Sequence, residues 1–299
     1  MQPTPQEIDI VTLNRTMILA IALALALVVI IGTALRTPER PSPSSVRVVL
    51  ASEIEWGALN PLRGDKSPRA GTLWGTRTRP SPSGFLVKFV DGFSSPPHIH
   101  PVTYRGMVIS GLVHNDVPSA DEVWLPAGSF WTQPAGEVHI TAAKGSNNVA
   151  YIEIEKGPYL VHPADDAFER EYAPIKLDPA SIAWVDPAGM TGSADGPKVA
   201  ALPGNPHDDQ LSRSLVKLPA GFGGLVRSHG STTLHAVVIQ GRPKHQVPGQ
   251  TDVKTLEAGS YFGSEGQVAH HVSCEAGEDC ILYVRTEGKF DVTPAQPKE

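Results

Sequence analysis

Two histidines separated by one residue follow a Pro-Pro pair in residues 94–106, SSPPHIHPVTYRG. Because side chains alternate along a β-strand, His98 and His100 would point to the same face. A third histidine, His139, on a facing strand would complete a set of three imidazole ligands and leave metal positions open for water or substrate. Imidazole nitrogen binds zinc, iron, copper and nickel. The spacing therefore predicts one divalent transition metal at His98, His100 and His139.

The third histidine closes a second group of residues with the spacing G-x5-P-x-G-x2-H. Its members are Gly128, Pro134, Gly136 and His139. The turn that Pro134 and Gly136 favour would aim His139 inward. The two groups in this order resemble the two-part cupin signature, G-x5-H-x-H-x3-4-E-x6-G followed by G-x5-P-x-G-x2-H-x3-N. Two positions depart from it, because Tyr104 replaces the usual Glu and Ala143 replaces the usual Asn.

Replacing the carboxylate with Tyr104 changes the predicted chemistry. Three neutral ligands leave the metal with its full 2+ charge, which favours an anionic or chelating ligand and lowers the pKa of a bound water. Tyr104 is therefore the candidate catalytic residue, either hydrogen-bonding a ligand or weakly binding the metal. The alternative is a core tyrosine whose hydroxyl has a protein partner. We expect Phe130 and Trp131 to pack inside a barrel and Glu153 to face solvent.

A longer resemblance covers residues 46–292. The stretches GFSSPPHIHPVTYRGMVISGLVHND and PAGSFWTQPAGEVHITAAKG resemble a bicupin family of unknown function (the DUF4437 type), related to the cupin module of zinc-binding, ChrR-like anti-sigma factors. The resemblance implies a fold and a metal, and no established reaction.

Two classes of function remain open. The first is an enzyme, since three-histidine cupins with open metal positions resemble non-haem dioxygenases that act on small chelating molecules. Fe²⁺ is the metal expected for that class, with Zn²⁺, Mn²⁺ and Ni²⁺ as alternatives. The second is a zinc-dependent binding or sensing module without catalysis, as the resemblance to anti-sigma cupins implies. No Ser-His-Asp arrangement, phosphate loop or CxxC zinc pair points to another chemistry.

The sequence repeats itself at a distance of about 130 residues. Trp56 matches Trp184, and Gly111 matches Gly241. Two copies this long indicate two copies of one domain rather than a solenoid. In the second copy the candidate ligands are His229, His235 and His270. This copy is degenerate, and the alternative is a structural domain that completes the core or a homodimer.

Each copy has the pattern of an all-β domain. Segments such as FLVKFV, GMVISGLV and VAYIEIE are short and β-branched, and the chain holds 28 Gly and 28 Pro. Many short strands separated by turns are typical of a barrel or sandwich. The predicted fold is thus all-β, with two tandem cupin jelly-roll barrels. The predicted segments are a tail (1–16), an apolar helix (17–35), a linker (36–46), the metal-binding cupin (47–177), the degenerate cupin (178–292) and a C-terminal tail (293–299).

The apolar segment 17–35 has 19 residues and no charge. That length is just enough to cross a bilayer, and a Pro/Ser-rich linker follows it. It predicts a signal anchor or a cleaved signal peptide. We therefore expect a membrane-anchored or secreted protein whose folded part lies outside the cytoplasm, in the periplasm.

Charge and cysteine content limit the partners. The formal charge is −6 with no long basic run, so nucleic acid is not expected and a small molecule is the predicted ligand. Cys274 and Cys280 flank a five-residue loop. In an exported protein they would form either a disulfide or a pair of buried thiols.

Overall fold

A computed structural model describes residues 46–187, 195–203, 211–229, 232–247 and 249–295. The predicted apolar helix, 17–35, lies outside these residues. Within them no helix is long and apolar enough to span a bilayer. Helical structure in the described residues is confined to four short 3-10 segments: Ala51–Glu53, Pro61–Lys66, Ala164–Asp166 and Pro179–Ser181.

The rest of the regular structure is β-strand, as the sequence predicts. The strands are β1 (Val46–Val49), β2 (Gly57–Ala58), β3 (Arg69–Gly75), β4 (Ser83–Phe89), β5 (His98–Ile99), β6 (Tyr104–Asp116), β7 (Phe130–Gln133), β8 (Ile140–Ile154), β9 (His162–Pro163), β10 (Lys176–Leu177), β11 (Lys198–Ala201), β12 (Leu211–Leu218), β13 (Gly223–Ser228), β14 (Thr233–Gln240), β15 (Lys244–Gln246), β16 (Val253–Thr255), β17 (Tyr261–Glu265), β18 (Ala269–Ser273), β19 (Cys280–Glu287) and β20 (Phe290–Pro294).

Strand pairing separates β2 to β10, which we call the first half, from β11 to β20, which together with β1 we call the second half. The first half builds a seven-stranded sheet, in the order β10-β7-β6-β8-β4-β3-β2, and the pair β5-β9. The second half builds a six-stranded sheet, β1-β17-β14-β19-β12-β11, and a five-stranded sheet, β16-β15-β18-β13-β20. The pairs in these sheets are antiparallel.

Two strands cross the predicted domain limits. β1 was expected to open the first domain, but it pairs with β17 in the sheet of the second half. β20 continues to Pro294, two residues into the predicted C-terminal tail, and pairs with β13. The repeat and its domain limits otherwise stay predictions.

The large sheets are buried on both faces, which explains their nearly continuous apolar strands. In β4, Phe85 and Val87 pack in the interior of the first half, while Leu86 on the opposite face packs in a core shared by both halves. In β12, Val216 packs in the interior of the second half and Leu215 in the shared core. Because side chains alternate along a strand, one strand serves two cores.

The position of Glu153 differs from the expectation based on the sequence. It is fully buried rather than solvent-facing. Its Oε1 atom lies 2.6 Å from Nε of Arg213 and 3.5 Å from Nε of Arg285, both from the second half. A buried carboxylate needs such partners, because removing an ion from water without compensation costs several kcal/mol. These ion pairs hold the pKa of Glu153 below its usual value despite its burial.

Cys274 and Cys280 are both free thiols and both buried. They pack among the apolar side chains inside the second half. The structure has the two side chains as buried thiols, and the disulfide stays a prediction.

Candidate metal centre

The strand pair β5-β9 and the turn before β8 bring the three histidines together. The backbone groups of His98 and His139 exchange two hydrogen bonds, each with an N···O distance of 3.0 Å. The carbonyl oxygen of His100 accepts a hydrogen bond from the N–H of Gly136, also at 3.0 Å. Gly136 has a φ of +78°, a conformation that favours glycine. The cupin-like turn therefore fixes the backbone that carries all three imidazoles.

The imidazoles converge. One ring nitrogen from each of His98, His100 and His139 lies within 4.8 Å of the other two. The ring centroids are 4.3 to 5.2 Å apart. All three side chains are buried. We call these three residues the histidine cluster.

Each ring of the histidine cluster uses the same nitrogen for a protein contact. The Nδ1 atoms of His98, His100 and His139 lie 2.9, 2.6 and 3.1 Å from the carbonyl oxygens of Pro96, Leu160 and Glu137. A carbonyl only accepts, so Nδ1 carries the proton and Nε2 keeps its lone pair. Metal-binding histidines have this arrangement, in which the second nitrogen orients the ring.

The protonation state also fits a metal. Burial lowers the pKa of all three rings, and His139 reaches about 2. Neighbouring imidazoles lower the pKa of His100 and His139 further. The neutral form that binds a metal is therefore the form present at neutral pH. Nε2 of His139 is buried and has no hydrogen-bond partner. The cluster thus fits one divalent metal ion, which supplies the missing partner.

Tyr104, the candidate catalytic residue, lies beside the histidine cluster. Its ring centroid is 5.2 Å from that of His100. Its hydroxyl donates to Oδ1 of Asn115 at 2.8 Å, and Thr141 donates to the same oxygen. Burial raises the pKa of Tyr104. The hydroxyl proton is thus already used within the protein. Trp131 packs in the interior of the first half, as predicted, and also lines the neighbouring cavity, whereas Phe130 packs in the core shared by both halves.

Tyr159 is a site residue that the sequence did not reveal. Its ring stacks on His100 with a centroid distance of 4.4 Å. Its hydroxyl lies 3.3 Å from Nε2 of His100, the ring nitrogen that does not contact the Leu160 carbonyl. Tyr159 follows His139 by 20 residues and belongs to no recognised motif. The chain returns to the cluster because β9 pairs with β5.

A cavity of about 710 Å³ opens beside the histidine cluster. His98, His100, Tyr104 and Tyr159 form part of its lining. Most of the other wall residues are apolar, among them Val87, Phe89, Phe93, Ile152, Leu160 and Val161. This size is within the range of small-molecule sites.

The second set of candidate ligands is not brought together. His235 stacks on Trp74 at a centroid distance of 4.0 Å, and its Nδ1 lies 2.9 Å from the hydroxyl of Tyr261. His229 is 52% exposed and pairs with Asp291. Among the described residues, the histidine cluster is the one group of three or more His, Cys, Asp or Glu with ligand atoms this close.

His270 belongs to a different arrangement. Its Nδ1 lies 2.9 Å from Nε2 of His245, and its Nε2 lies 2.9 Å from Oγ of Ser264. All three side chains are buried. We call this the histidine–serine chain. Both nitrogens of His270 are satisfied by protein groups, so neither is free for a metal.

Comparison with known proteins supports the fold and the family. The model of a family described as a domain of unknown function (DUF4437) matches residues 47–293. A point mutant of oxalate decarboxylase OxdC of Bacillus subtilis has a TM-score of 0.56 at 12% identity, covering 87% of this chain and 82% of that chain. No protein of curated function matches.

Two further solved structures are similar. Salicylate 1,2-dioxygenase of Pseudoaminobacter salicylatoxidans, with gentisate adducts, has a TM-score of 0.55 at 16% identity, covering 94% of this chain and 92% of that one. AerE of Microcystis aeruginosa has a TM-score of 0.54 at 12% identity, covering 81% and 99%. The fold is therefore cupin-like. Sequence identities of 12% to 16% do not show that this chain catalyses the reaction of any of these proteins.

Proposed function

We propose that this chain, which belongs to the DUF4437 family, is a metal-dependent enzyme that acts on a small chelating molecule in the manner of a non-haem dioxygenase. One observation carries the proposal. Three buried imidazoles have ring nitrogens within 4.8 Å of one another, with Nδ1 of each held by a backbone carbonyl, beside a cavity lined mostly with apolar side chains. Three protein ligands would leave a bound metal with coordination positions available for substrate or water.

The protein's own residues have defined roles in this proposal. His98, His100 and His139 would hold Fe²⁺, which would supply a site that can bind both substrate and oxygen. Because all three ligands are neutral, the metal keeps its 2+ charge and attracts an anionic chelating group.

Two tyrosines act beside the ligands. The hydroxyl of Tyr159 lies 3.3 Å from Nε2 of His100, so it can donate a hydrogen bond to a group bound at the metal position. Tyr104 orients the ligand with its ring, because its hydroxyl is held by Asn115. The apolar wall limits water in the cavity.

Oxygen uptake tests the reaction class. The wild-type protein is loaded anaerobically with Fe²⁺ and offered small diketones, thiols, phenols and hydroxybenzoates in an oxygen electrode. We expect uptake that depends on one substrate class and is lost in His139→Ala. His270→Ala is the matched control, because it removes a buried histidine outside the cluster.

The alternative is a zinc-binding module that senses or binds without catalysis. The cavity beside the cluster favours the enzyme, since a purely structural zinc site is closed by four protein ligands. Protein that retains only zinc, resists chelators and consumes no oxygen with any substrate would favour the module. The relation to anti-sigma cupins stays a prediction, as does a homodimer.

We also propose that residues 17–35 hold the folded part at a membrane, outside the cytoplasm. The proposal rests on the 19 uncharged residues of this segment and their match to bilayer thickness. Membrane fractionation with protease treatment of intact cells tests it. Protein found in the soluble cytoplasmic fraction would contradict it.

A further inference from the structure

One charged side chain, Arg63, is found among the residues that line the cavity beside the histidine cluster. The remaining lining residues are apolar or neutral, apart from the two histidines that face the metal position. An apolar cavity with one cation selects for a ligand that has an apolar body and one negative group. Arg63 has no assigned role in the proposed reaction.

The arginine is held in place by neighbouring groups. It lies in the 3-10 segment Pro61–Lys66, whose first turn is capped because Oδ1 of Asn60 accepts from the N–H of Leu62 at 3.1 Å. Its guanidinium donates to the carbonyl oxygen of Ser94 at 2.9 Å and lies 4.9 Å above the ring of Phe93. The group is thus positioned before any ligand arrives, which lowers the entropy cost of binding.

Arg63 has unused binding capacity. Among the described residues, no ion pair includes it. A guanidinium has five N–H donors, and a planar carboxylate can accept two of them at once. The contact with the Ser94 carbonyl uses one donor of the guanidinium, so enough donors remain for two hydrogen bonds to a carboxylate.

The apolar part of the cavity reaches solvent. Leu160 is 46% exposed and Val161 is 63% exposed, although both line the cavity. A bound apolar group would cover these side chains, and removing such surface from water favours binding. The carbonyl of Leu160 also accepts from Nδ1 of His100, so the same loop contacts both the cavity and the cluster.

We propose that the cavity binds an aromatic or alkyl carboxylic acid, with its carboxylate on Arg63, its apolar body against Phe93, Leu160 and Val161, and an oxygen donor facing the histidine cluster. The orientation at the cluster rests on the proposed function. Recognition of the carboxylate by Arg63 does not, because it requires no metal.

Fluorine NMR of the metal-free protein tests the assignment. The probes are 4-(trifluoromethyl)benzoate and its neutral counterpart 4-(trifluoromethyl)benzamide. We expect the acid to bind at least about tenfold more tightly than the amide, as a charge-assisted hydrogen bond predicts. In Arg63→Met the two probes should bind with affinities that differ by less than about threefold, because only the charge contact is lost.

Two variants serve as controls. Arg79→Met removes an exposed arginine outside the cavity lining and should keep the full preference for the acid. Arg63→Lys keeps the positive charge but lacks the planar guanidinium that can give a carboxylate two hydrogen bonds. It should therefore keep part of the preference for the acid. Circular dichroism spectra and thermal melts verify that each variant is folded.

Three outcomes would overturn the assignment. They are equal binding of acid and amide by the wild type, an undiminished preference in folded Arg63→Met, and a preference that appears only when metal is added, which would place the carboxylate on the metal. If the preference for the acid holds while no metal binds and no oxygen is consumed, the proposed reaction fails and the role of Arg63 stands.

Discussion

The two halves of the molecule use buried histidines in opposite ways. In the histidine cluster each ring donates from Nδ1 to a backbone carbonyl, and Nε2 of His139 has no protein partner. In the histidine–serine chain both nitrogens of His270 have protein partners. His139 and His270 occupy matching places in the sequence repeat, 131 residues apart. The number of histidines therefore does not define a metal site; free, converging nitrogens do.

The difference between the halves can be traced to few residues. The predicted repeat places Ser231 at the position that matches His100. His245 and Ser264 are the hydrogen-bond partners of the two ring nitrogens of His270. A buried imidazole nitrogen without a partner would cost about 1–3 kcal/mol, so His245 and Ser264 stabilise the buried ring of His270.

The largest expected effect is the loss of stability when His270 or His139 is replaced by alanine in the metal-free protein. His270→Ala leaves His245 and Ser264 without a partner, and we expect a loss of about 2–4 kcal/mol in the free energy of unfolding. His139→Ala removes a ring whose Nε2 had no partner, so its loss should be smaller by about 1–2 kcal/mol. Urea unfolding measures both. Equal losses would mean that the partners of His270 contribute little.

The next effect is the pH dependence of stability. Burial lowers the pKa of His245 to about 4 and that of His270 to about 3. Between pH 6.5 and pH 4 the unfolded chain binds protons that the folded chain does not, so stability falls as pH falls. Each such group contributes up to about 1.4 kcal/mol per pH unit.

His245→Gln lacks one of these groups. We expect the stability difference between wild type and His245→Gln, measured with chelator present, to shrink as the pH is lowered from 6.5 to 4. A difference that is constant or grows over this range would contradict the account.

A smaller effect is expected from making His270 resemble His139. Ser264→Ala leaves Nε2 of His270 without its partner, and we expect a loss of about 1–2 kcal/mol with no gain of metal, because two further ligands are absent. Ser129→Ala is the matched control, since Oγ of Ser129 is buried without a partner and should be removable at little cost. Metal uptake by Ser264→Ala would show that one free nitrogen suffices.

The smallest effects separate the two tyrosines. Tyr104→Phe should lower stability by about 1 kcal/mol through the lost bond to Asn115, and leave the visible spectrum of the cobalt-loaded protein unchanged. Tyr159→Phe should change that spectrum with a stability loss below about 0.5 kcal/mol, because its hydroxyl faces the metal position. If Tyr104→Phe changed the spectrum and Tyr159→Phe did not, the hydroxyl that faces the metal position would be that of Tyr104.

The sequence was sufficient where the information is local. His98 lies in β5 and His100 directly follows it, and the Pro134–Gly136 turn places His139 opposite His98, so local spacing and turn chemistry predict the cluster. The all-β fold follows in the same way from short β-branched segments.

The sequence was not sufficient where distant segments meet. Tyr159 reaches His100 only through the β5-β9 pair. Glu153 looks like an exposed strand residue until Arg213 and Arg285 cover it from the other half. His245 has no role in any motif, and only the packed structure places it against His270. Such contacts depend on tertiary packing, which a local pattern does not contain.

The most direct test of the central claim is the number of tightly bound divalent metal ions per chain, measured by elemental mass spectrometry on protein purified without a histidine tag. The account predicts one ion in the wild type, none in His139→Ala and one in folded His270→Ala. Retention of the ion in His139→Ala would contradict the account, whether His270→Ala retains its ion or loses it.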